Sequence, residues 1–525
     1  MANVGQVDPI LVTLVILVLA IIAFVSNRIP LGIVAIGVSV GLYFTGVLSL
    51  TEALAGFGDP TVIFIAGLFV VSESLDATGI TTWAGQKVIA RAGTKRRTLL
   101  LVIGLLVAAV SALISVNGAV AALLPLVVVV AARAGLPPSQ LLMPLAFAAS
   151  AGSMLLLTGT PVNIIVSDFA ETAGAPAFGY FEFALVGIPL VIGTVLFLTF
   201  CSRPLLPIRE GSHIPLDLVR HARLLRQQYS VDLNTTMLVG PRSGITEVLV
   251  APRSPLIGTR IFTGMATPRG DLVVLAARRG DTQLKGDVTI QVGDALLMQG
   301  RWDDLARHAD EPGVIAVDSP QEMRRSVPLG RGAKRTLVIL AVMVVLLATG
   351  IVPPAIAALL AACALVLSRV VSVPQAYGAI SWTTVVLIAG MIPLSTAFTK
   401  TGAADLLAGG LLSLIGDSGP YVALGALCVL TLVLSQLISN AATVLILAPI
   451  AMSLAAAMGI SVEPFLMALA VVAAAAFLTP VATPANLLVM DPAGYRFGDY
   501  WRLGLPLSLF YLVMGVFYVP LIWPF

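Results

Sequence analysis

The sequence has little charge and few of the side chains that enzymes use for chemistry. Charged residues make up only 11% of its 525 residues, whereas 58% are hydrophobic and the mean hydropathy is +1.01. A soluble protein of this length carries far more surface charge. The three cysteines form no CxxC pair, and the three histidines all lie in one polar stretch. Neither set has the spacing of a metal centre or a nucleophile–base pair, so we expect neither an enzyme nor an organic cofactor.

The chain is instead rich in apolar runs of roughly 16–20 residues, close to the length that crosses a bilayer core of about 30 Å. These runs include 10–25, 29–48, 337–352 and 503–522. No basic segment precedes the first run, so it is predicted to be a retained span and not a cleaved signal. We therefore predict a multi-pass protein of the cell inner membrane, embedded in the lipid bilayer and without a nucleic-acid partner.

Charge is concentrated in the middle of the chain. Residues 203–335 hold 19 of the 30 Lys and Arg residues and 14 of the 27 Asp and Glu residues. This distribution predicts a soluble insert between two membrane blocks. The predicted domains are a first membrane repeat at 1–205, an insert at 206–330 and a second membrane repeat at 331–525.

The two membrane blocks resemble each other in sequence. Three pairs of segments align at offsets of 323, 324 and 323 residues: 64–79 with 387–402, 113–125 with 437–449, and 160–163 with 483–486. Glycine, serine, proline, threonine and asparagine fall in step in these pairs, which chance similarity between apolar helices does not produce. The chain is therefore predicted to contain an internal duplication.

Each half is predicted to contain the same elements in the same order. In the first half, spans are expected near 10–27, 29–48, 60–80 and 182–200, a hairpin over 98–132, and a helix from about 141 that breaks at 158–163. In the second half, elements are expected at about 335–350, 354–371, 383–400, 421–457, 464–489 and 503–522. The Ser-Val-Asn-Gly sequence at 115–118 interrupts the first hairpin. That hairpin is too long for one crossing, so its two half-helices are predicted to enter and leave on the same side.

The remaining basic residues indicate an orientation. If the hairpins do not cross, each half crosses five times, and the second half is inverted relative to the first. With both termini outside, ten of the eleven Lys and Arg residues beyond the insert lie inside, and Lys400 is the exception. The insert is then cytoplasmic, and the opposite orientation fails the same test.

Four polar interruptions form the candidate binding site: 115–117 and 439–441 at hairpin tips, and 159–163 and 482–486 in broken helices. Broken helices expose N-termini that favour anions and carbonyls that favour cations, and paired interruptions point to the midplane site of a transporter. Small hydroxyl and amide residues dominate them, and none contains a basic residue. An anion is predicted to be held there by amide and hydroxyl dipoles together with co-bound cations. The alternative is that these residues serve helix packing alone.

These interruptions resemble those of a known family. Ser-Asn-Ala-Ala-Thr at 439–443, followed by Pro449, and Gly-Thr-Pro-Val-Asn at 159–163 are similar to segments of the divalent anion/sodium symporters, within the wider ion transporter superfamily. The resemblance covers both membrane blocks. It implies an all-α polytopic membrane protein with two inverted repeats, each of five transmembrane helices and a re-entrant hairpin. It also implies a homodimer in which a transport domain slides against a scaffold, the elevator mechanism.

The resemblance further implies ligands for a small anionic substrate and for sodium. The substrate-binding residues would be Ser115, Val116, Asn117, Thr160, Pro161, Ser439, Asn440, Ala441, Thr483 and Pro484. The sodium ligands would be Ser111, Ser115 and Gly159 in the first half and Ser435, Asn440 and Ala482 in the second, with backbone carbonyls contributing. The chain departs from the family pattern at Val116, where asparagine is usual, and at Asn117 and Ala441.

The insert carries a resemblance of its own. Residues 220–312 alternate short β-rich runs with turns, and 254–261, 278–280 and 292–300 resemble the TrkA C-terminal domain, a small α/β regulatory module. The resemblance implies either ligand regulation or a constitutive dimer clamp. No GxGxxG motif opens a nucleotide-binding half. Arg278, Arg279 and Lys285 are expected to be solvated charges and not an anion pocket.

Together these features predict a secondary active transporter that couples a cation, expected to be Na+, to uptake of a divalent anion such as sulfate or a C4-dicarboxylate. Arsenite efflux or Na+/H+ antiport is the alternative within the same superfamily. A ligand-gated ion channel is the alternative from another class, since TrkA-type modules serve potassium systems. The sequence has no TVGYG-like filter, which argues against a channel.

Overall fold

The computed structural model of the protein describes residues 8–26, 28–89, 93, 95–209, 243–262, 265, 267, 271–280, 282–284, 287–309, 313–316, 332–415 and 419–525. The predicted insert boundaries at 220, 312 and 330, and Lys285, lie outside these residues. Helices predominate in the described part, and seven helical segments there are long and apolar enough to cross a membrane. They are Pro9–Ser26, Leu50–Ala77, Arg96–Leu113, Phe183–Phe200, Trp382–Thr401, Asn440–Met458 and Phe497–Ile522.

The first half contains ten helices in its described residues. They are α1 (Pro9–Ser26), α2 (Leu31–Phe44), α3 (Leu50–Leu54), α4 (Pro60–Ala77), α5 (Ile80–Ile89), α6 (Arg96–Leu113), α7 (Val116–Arg133), α8 (Leu142–Gly152), α9 (Pro161–Thr172) and α10 (Phe183–Phe200). Short 3₁₀ turns lie at Ala55–Gly58, Pro138–Gln140 and Leu157–Gly159. α6 and α7 form the predicted hairpin. The interruption between α8 and α9 begins at Ser153, earlier than the sequence pattern indicates.

The described part of the insert is mainly β-structure. Its strands are β1 (Ser243–Val250), β2 (Arg260–Ile261), β3 (Leu272–Arg279), β4 (Thr282–Leu284), β5 (Val288–Thr289), β6 (Ala295–Arg301) and β7 (Val314–Ala316), with one helix, α11 (Trp302–Ala309). Five strands form an antiparallel sheet in the order β4-β3-β6-β1-β7, and β2 pairs with β5. Val248, Leu272, Leu296 and Leu305 form a core of its own. Such a core is what a separate soluble unit requires.

An ion pair links β3 to the residue that precedes β6. The guanidinium of Arg279 donates from Nε to Asp294 Oδ1 at 2.7 Å and from a terminal nitrogen to Oδ2 at 2.8 Å. The Asp294 side chain is only 1% exposed. Arg279, whose own side chain is 39% exposed, is therefore a solvated charge that is also paired with a buried carboxylate.

The second half repeats the element order of the first. Its helices are α12 (Ala333–Thr349), α13 (Pro354–Leu367), α14 (Val373–Ala379), α15 (Trp382–Thr401), α16 (Ala403–Ile415), α17 (Pro420–Ser435), α18 (Asn440–Met458), α19 (Glu463–Ala473), α20 (Pro484–Ala493), α21 (Tyr500–Val513) and α22 (Val519–Ile522). Short 3₁₀ turns lie at Pro480–Ala482 and Phe497–Asp499, and a π-helical turn at Met514–Tyr518 follows α21. The short helices α5 and α16 follow α4 and α15 in the same way, and neither was predicted as a separate element.

Helices of each half pack against helices of the other half. α4 packs on α13 of the other half, and α15 packs on α2. A Cβ at Gly67 in α4 would lie 2.8 Å from Ala358 Cβ, and a Cβ at Gly390 in α15 would lie 2.7 Å from the Ala35 carbonyl carbon. Both glycines therefore allow a close helix approach that a side chain would prevent. The two contacts are related by the 323-residue offset of the sequence alignment.

Candidate functional site

Both hairpin tips are built by a serine that caps the second helix of the hairpin. Ser115 precedes α7 and its Oγ accepts from Gly118 N at 3.2 Å, while Ser439 precedes α18 and accepts from Ala442 N at 3.3 Å. The predicted residues Val116 and Asn117 are the first two of α7, as Asn440 and Ala441 are of α18. A serine at this position satisfies one of the unpaired amides that begin any helix. Each tip therefore presents the remaining amides of a helix N-terminus.

The broken helices restart in an equivalent manner. Thr160 caps α9 and accepts from Val162 N at 3.5 Å, and Thr483 caps α20 and accepts from Asn486 N at 3.3 Å. Pro161 and Pro484 occupy the first helical position, where the missing N–H costs nothing. The predicted substrate residues thus lie at four helix N-termini, the ends that favour anions.

Four of the six predicted sodium ligands occupy the opposite kind of helix end, whereas Ser115 and Asn440 lie at the tips. Ser111 lies in the last turn of α6, and Ser435 is the last residue of α17. Gly159 and Ala482 end the 3₁₀ turns that lie inside the two breaks. Carbonyl groups at such ends lack helical partners and favour cations. Ser111, Ser435, Gly159 and Ala482 are buried, whereas Ser115, Thr160, Ser439 and Thr483 are partly exposed.

Hydrogen bonds join each hairpin to the break of its own half. Ser111 Oγ donates to Ala149 O at 2.8 Å, which links α6 to α8. In the second half, Gln436 Nε2 donates to Ala475 O at 3.2 Å, and Leu478 N donates to Gln436 Oε1 at 2.9 Å. Hydrogen bonds therefore tie the hairpin of each half to the segment that carries its break, and the polar residues of these two segments are here called the cluster of that half.

Helix packing brings the two clusters together. α9 packs against α18 and α19, and α20 packs against α7 and α8. The rings of Phe147 and Phe477, one from each half, lie 4.6 Å apart. Tyr495 accepts from Met143 N at 3.0 Å and donates to Ser139 O, so the halves are also joined by hydrogen bonds. The four interruptions are therefore flanked by helices that pack between the halves.

Asn163 and Asn486 shape the breaks, although they were absent from the predicted ligands. Asn163 Nδ2 donates to Ser153 O at 3.0 Å and Leu156 O at 2.9 Å. These bonds hold the unwound segment before α9 and explain why the helix ends as early as Gly152. The sequence signal was present, because both asparagines end the duplicated Thr-Pro-x-Asn segments.

Two buried amide oxygens have no hydrogen-bond donor among the described residues. One is Asn163 Oδ1 in the first half and the other is Asn440 Oδ1 in the second. A buried acceptor without a donor is costly, and a hard cation such as Na+ takes oxygen ligands. The oxygen atoms available as ligands at the two clusters belong to hydroxyl, amide and carbonyl groups. This set of ligands fits a sodium ion in each half.

Long apolar helices, paired breaks at the interface of two halves and a clustered set of small polar residues define a membrane transporter. Comparison with known families is more specific. The model of the citrate transporter family, CitMHS, matches residues 21–471 and 424–525. The chain belongs to this family.

Relatives extend over the whole chain. It is 30% identical to "Uncharacterized transporter YfbS" of Escherichia coli, over 97% of this chain and 98% of that protein. It is 27% identical to "Uncharacterized transporter sll0640" of Synechocystis, over 95% and 94%. The match to "Sodium/sulfate cotransporter 1" of Chlamydomonas reinhardtii, also 27% identical, covers 56% of this chain and 34% of that protein.

A solved structure shares the fold. The YdaH transporter of Alcanivorax borkumensis superposes with a TM-score of 0.51 over 98% of both chains, at 16% sequence identity. At that identity the likeness concerns the fold alone.

Proposed function

We propose that the protein is a secondary active transporter that couples entry of Na+ to uptake of a small divalent anion, with sulfate or a C4-dicarboxylate as the substrate class. The observation that carries this proposal is the pairing of opposite helix ends in each half. Buried carbonyl ends lie beside Ser111 and Ser435, and partly exposed N-termini begin at Ser115 and Ser439. Such an arrangement can hold a cation behind an anion, so that each binds more tightly when the other is present.

The residue types at the four interruptions support binding of an anion whose charge is neutralised by bound cations. The four interruptions contain no lysine or arginine. A divalent anion held only by amide and hydroxyl dipoles would keep its full charge inside the protein, which is costly. Sodium ions at the two clusters would offset that charge. Asn440 Oδ1 and Asn163 Oδ1, which accept no hydrogen bond from the described residues, support this role. A bound cation could be coordinated by each of these oxygens.

Several finer features follow from the same proposal. The two halves would be inverted repeats, with both termini outside and the insert in the cytoplasm, as the distribution of Lys and Arg indicates. The transporter would be a homodimer that works by an elevator movement of the hairpins and broken helices against a scaffold. α1, α2 and α4 with their second-half equivalents α12, α13 and α15 are the proposed scaffold. The insert, 206–330 in the chain, would act as a TrkA C-terminal-like regulatory or dimerising module.

Uptake into proteoliposomes tests the proposal directly. Labelled sulfate, succinate and citrate would be offered to the purified protein, each with an inward gradient of sodium or of potassium. The expected result is accumulation of one anion only when sodium is present, together with counterflow from preloaded vesicles. Uptake that ignores sodium would contradict the coupling, and conduction without counterflow would contradict a carrier.

A further inference from the structure

Asp76 lies beside the first hairpin tip. A Cβ at Gly118, the third residue of α7, would be 3.6 Å from Asp76 Oδ2 and 3.3 Å from Ser115 Oγ. A carboxylate oxygen and the capping hydroxyl therefore border the same small space, which glycine leaves open. Asp76 belongs to the last turn of α4, so this oxygen reaches the tip from another helix.

A neighbouring hydroxyl orients the carboxylate. Thr81, which is buried in α5, donates from Oγ1 to Asp76 Oδ1 at 3.1 Å. This bond lies on one oxygen of the carboxylate, and the other oxygen is the one nearest to Gly118. The N-terminus of α7 carries a partial positive charge, which attracts a carboxylate to this position.

At its first helical position, the first tip lacks the side-chain oxygen that the second tip has. Val116 occupies the first position of α7. The same position of α18 is Asn440, whose Oδ1 accepts no hydrogen bond from the described residues. The position aligned with Asp76 in the second half is Thr399, which donates to Ser395 O within its own helix. At the first position of the tip helix, one half thus has an amide, and the other half has a valine with a carboxylate nearby.

We propose that Asp76 is a cation-binding residue of the first hairpin tip, and that it replaces the oxygen which Val116 cannot provide. This inference rests on the proposed sodium coupling. A carboxylate is a stronger ligand for a hard cation than an amide.

Sodium binding by the purified full-length protein, without substrate, tests this role. The readout is the rise in thermal unfolding midpoint with sodium concentration, at constant ionic strength with potassium. We expect Asp76→Asn to raise the half-maximal sodium concentration by about tenfold or more, because a full charge is lost next to the ion. Asp405→Asn removes an exposed carboxylate from the first turn of α16 and should respond like the parent.

A second variant covers the case in which Asp76→Asn does not fold. Gly118→Ala places a methyl group between Ser115 and Asp76, with contacts that a slight shift can accommodate, and should weaken sodium binding in the same direction. A parental sodium response in both variants, while Asn440→Ala weakens it, would overturn the role of Asp76 and leave the proposed coupling standing. A parent protein that gives no sodium response would overturn both.

Discussion

Asn163 and Asn486 make the same pair of hydrogen bonds in the two halves of the protein. Asn163 Nδ2 donates to the carbonyls ten and seven residues earlier, at 3.0 and 2.9 Å. Asn486 Nδ2 does the same, to Ala476 O at 3.0 Å and Thr479 O at 3.1 Å. Four carbonyls that a continuous helix would bond internally are thus held by side chains. The breaks are therefore defined structures, which a binding site requires.

Removing the side-chain amide of Asn440 should strongly reduce sodium-coupled uptake. Asn440→Ala removes the buried Oδ1 that has no donor in the described residues, and we expect the initial rate to fall by about tenfold or more. Ser115→Ala should reduce the rate less, because the backbone of the first tip remains. The measurement is the initial uptake rate against sodium concentration at matched expression.

Asn440→Asp is the matched control, since it keeps an oxygen at the same position and should retain sodium-dependent uptake. Val116→Asn should leave uptake intact or strengthen its dependence on sodium. An Asn440→Ala variant that transports like the parent would mean that the polar tips serve packing alone.

Gly390→Ala should destabilise the protein through its contact with α2. The added Cβ would lie 2.7 Å from the Ala35 carbonyl carbon, so the helices must separate, at a cost of about 1–3 kcal/mol. The expected observation is a lower thermal unfolding midpoint in detergent. Gly37→Ala is the control: a Cβ there meets nothing within 4 Å, so this change should be neutral or stabilising. Equal midpoints for Gly390→Ala and Gly37→Ala would contradict the close approach.

The pair of Arg279 and Asp294 makes the insert sensitive to acid. The hydrogen bonds from Arg279 hold the pKa of Asp294 below its usual range. A lowered pKa contributes stability that is present above the unfolded value of about 3.9 and is lost as the pH falls through the folded value. Hydrogen exchange of β3 and β6 in the full-length protein should therefore accelerate below about pH 4, after correction for intrinsic rates.

Asp294→Asn should weaken protection of the same strands by about 1–3 kcal/mol at neutral pH, and should remove the acid step. Asp287→Asn, which changes an exposed carboxylate of the same insert, is the control. A variant at Asp294 that keeps both the protection and the acid step would show that the pair contributes nothing to stability.

The proposed orientation can be tested by cysteine labelling in a background without Cys201 and Cys363, which are exposed. Ala55→Cys and Ala173→Cys lie at exposed positions and should react from outside the cell. Thr259→Cys, exposed in the insert, should react only after permeabilisation. Reaction of Thr259→Cys in sealed right-side-out vesicles would reverse the orientation.

The positions of the tips and breaks could be predicted because small polar residues interrupt apolar runs at repeated spacing. Ser115, Ser439, Thr160 and Thr483 are all helix caps in the structure, as interruptions of that kind suggest. The start of the first break could not be predicted. The Ser153–Leu157 stretch is mostly apolar and continues a helical pattern, and only the long-range bonds of Asn163 show that it is unwound.

Contacts between helices that are distant in the chain could not be predicted from the sequence either. Gly67 and Gly390 could be recognised as small residues in membrane helices, but nothing in their surroundings names Ala358 and Ala35 as their partners. Asp76 illustrates the same limit. It comes within reach of Gly118 only because α4 and α5 fold back against α7.

The exchanged packing of Gly67 with Ala358 and Gly390 with Ala35 has a consequence for synthesis. α4 finds its partner helix α13 only after the ribosome has made the rest of the first half and the whole insert. At roughly 5–20 residues per second, that interval is on the order of tens of seconds. During this interval, the face of α4 around Gly67 contacts lipid or the translocation machinery and not α13. Neither half can complete its packing alone, so separately expressed halves should assemble only when they are made together in one membrane.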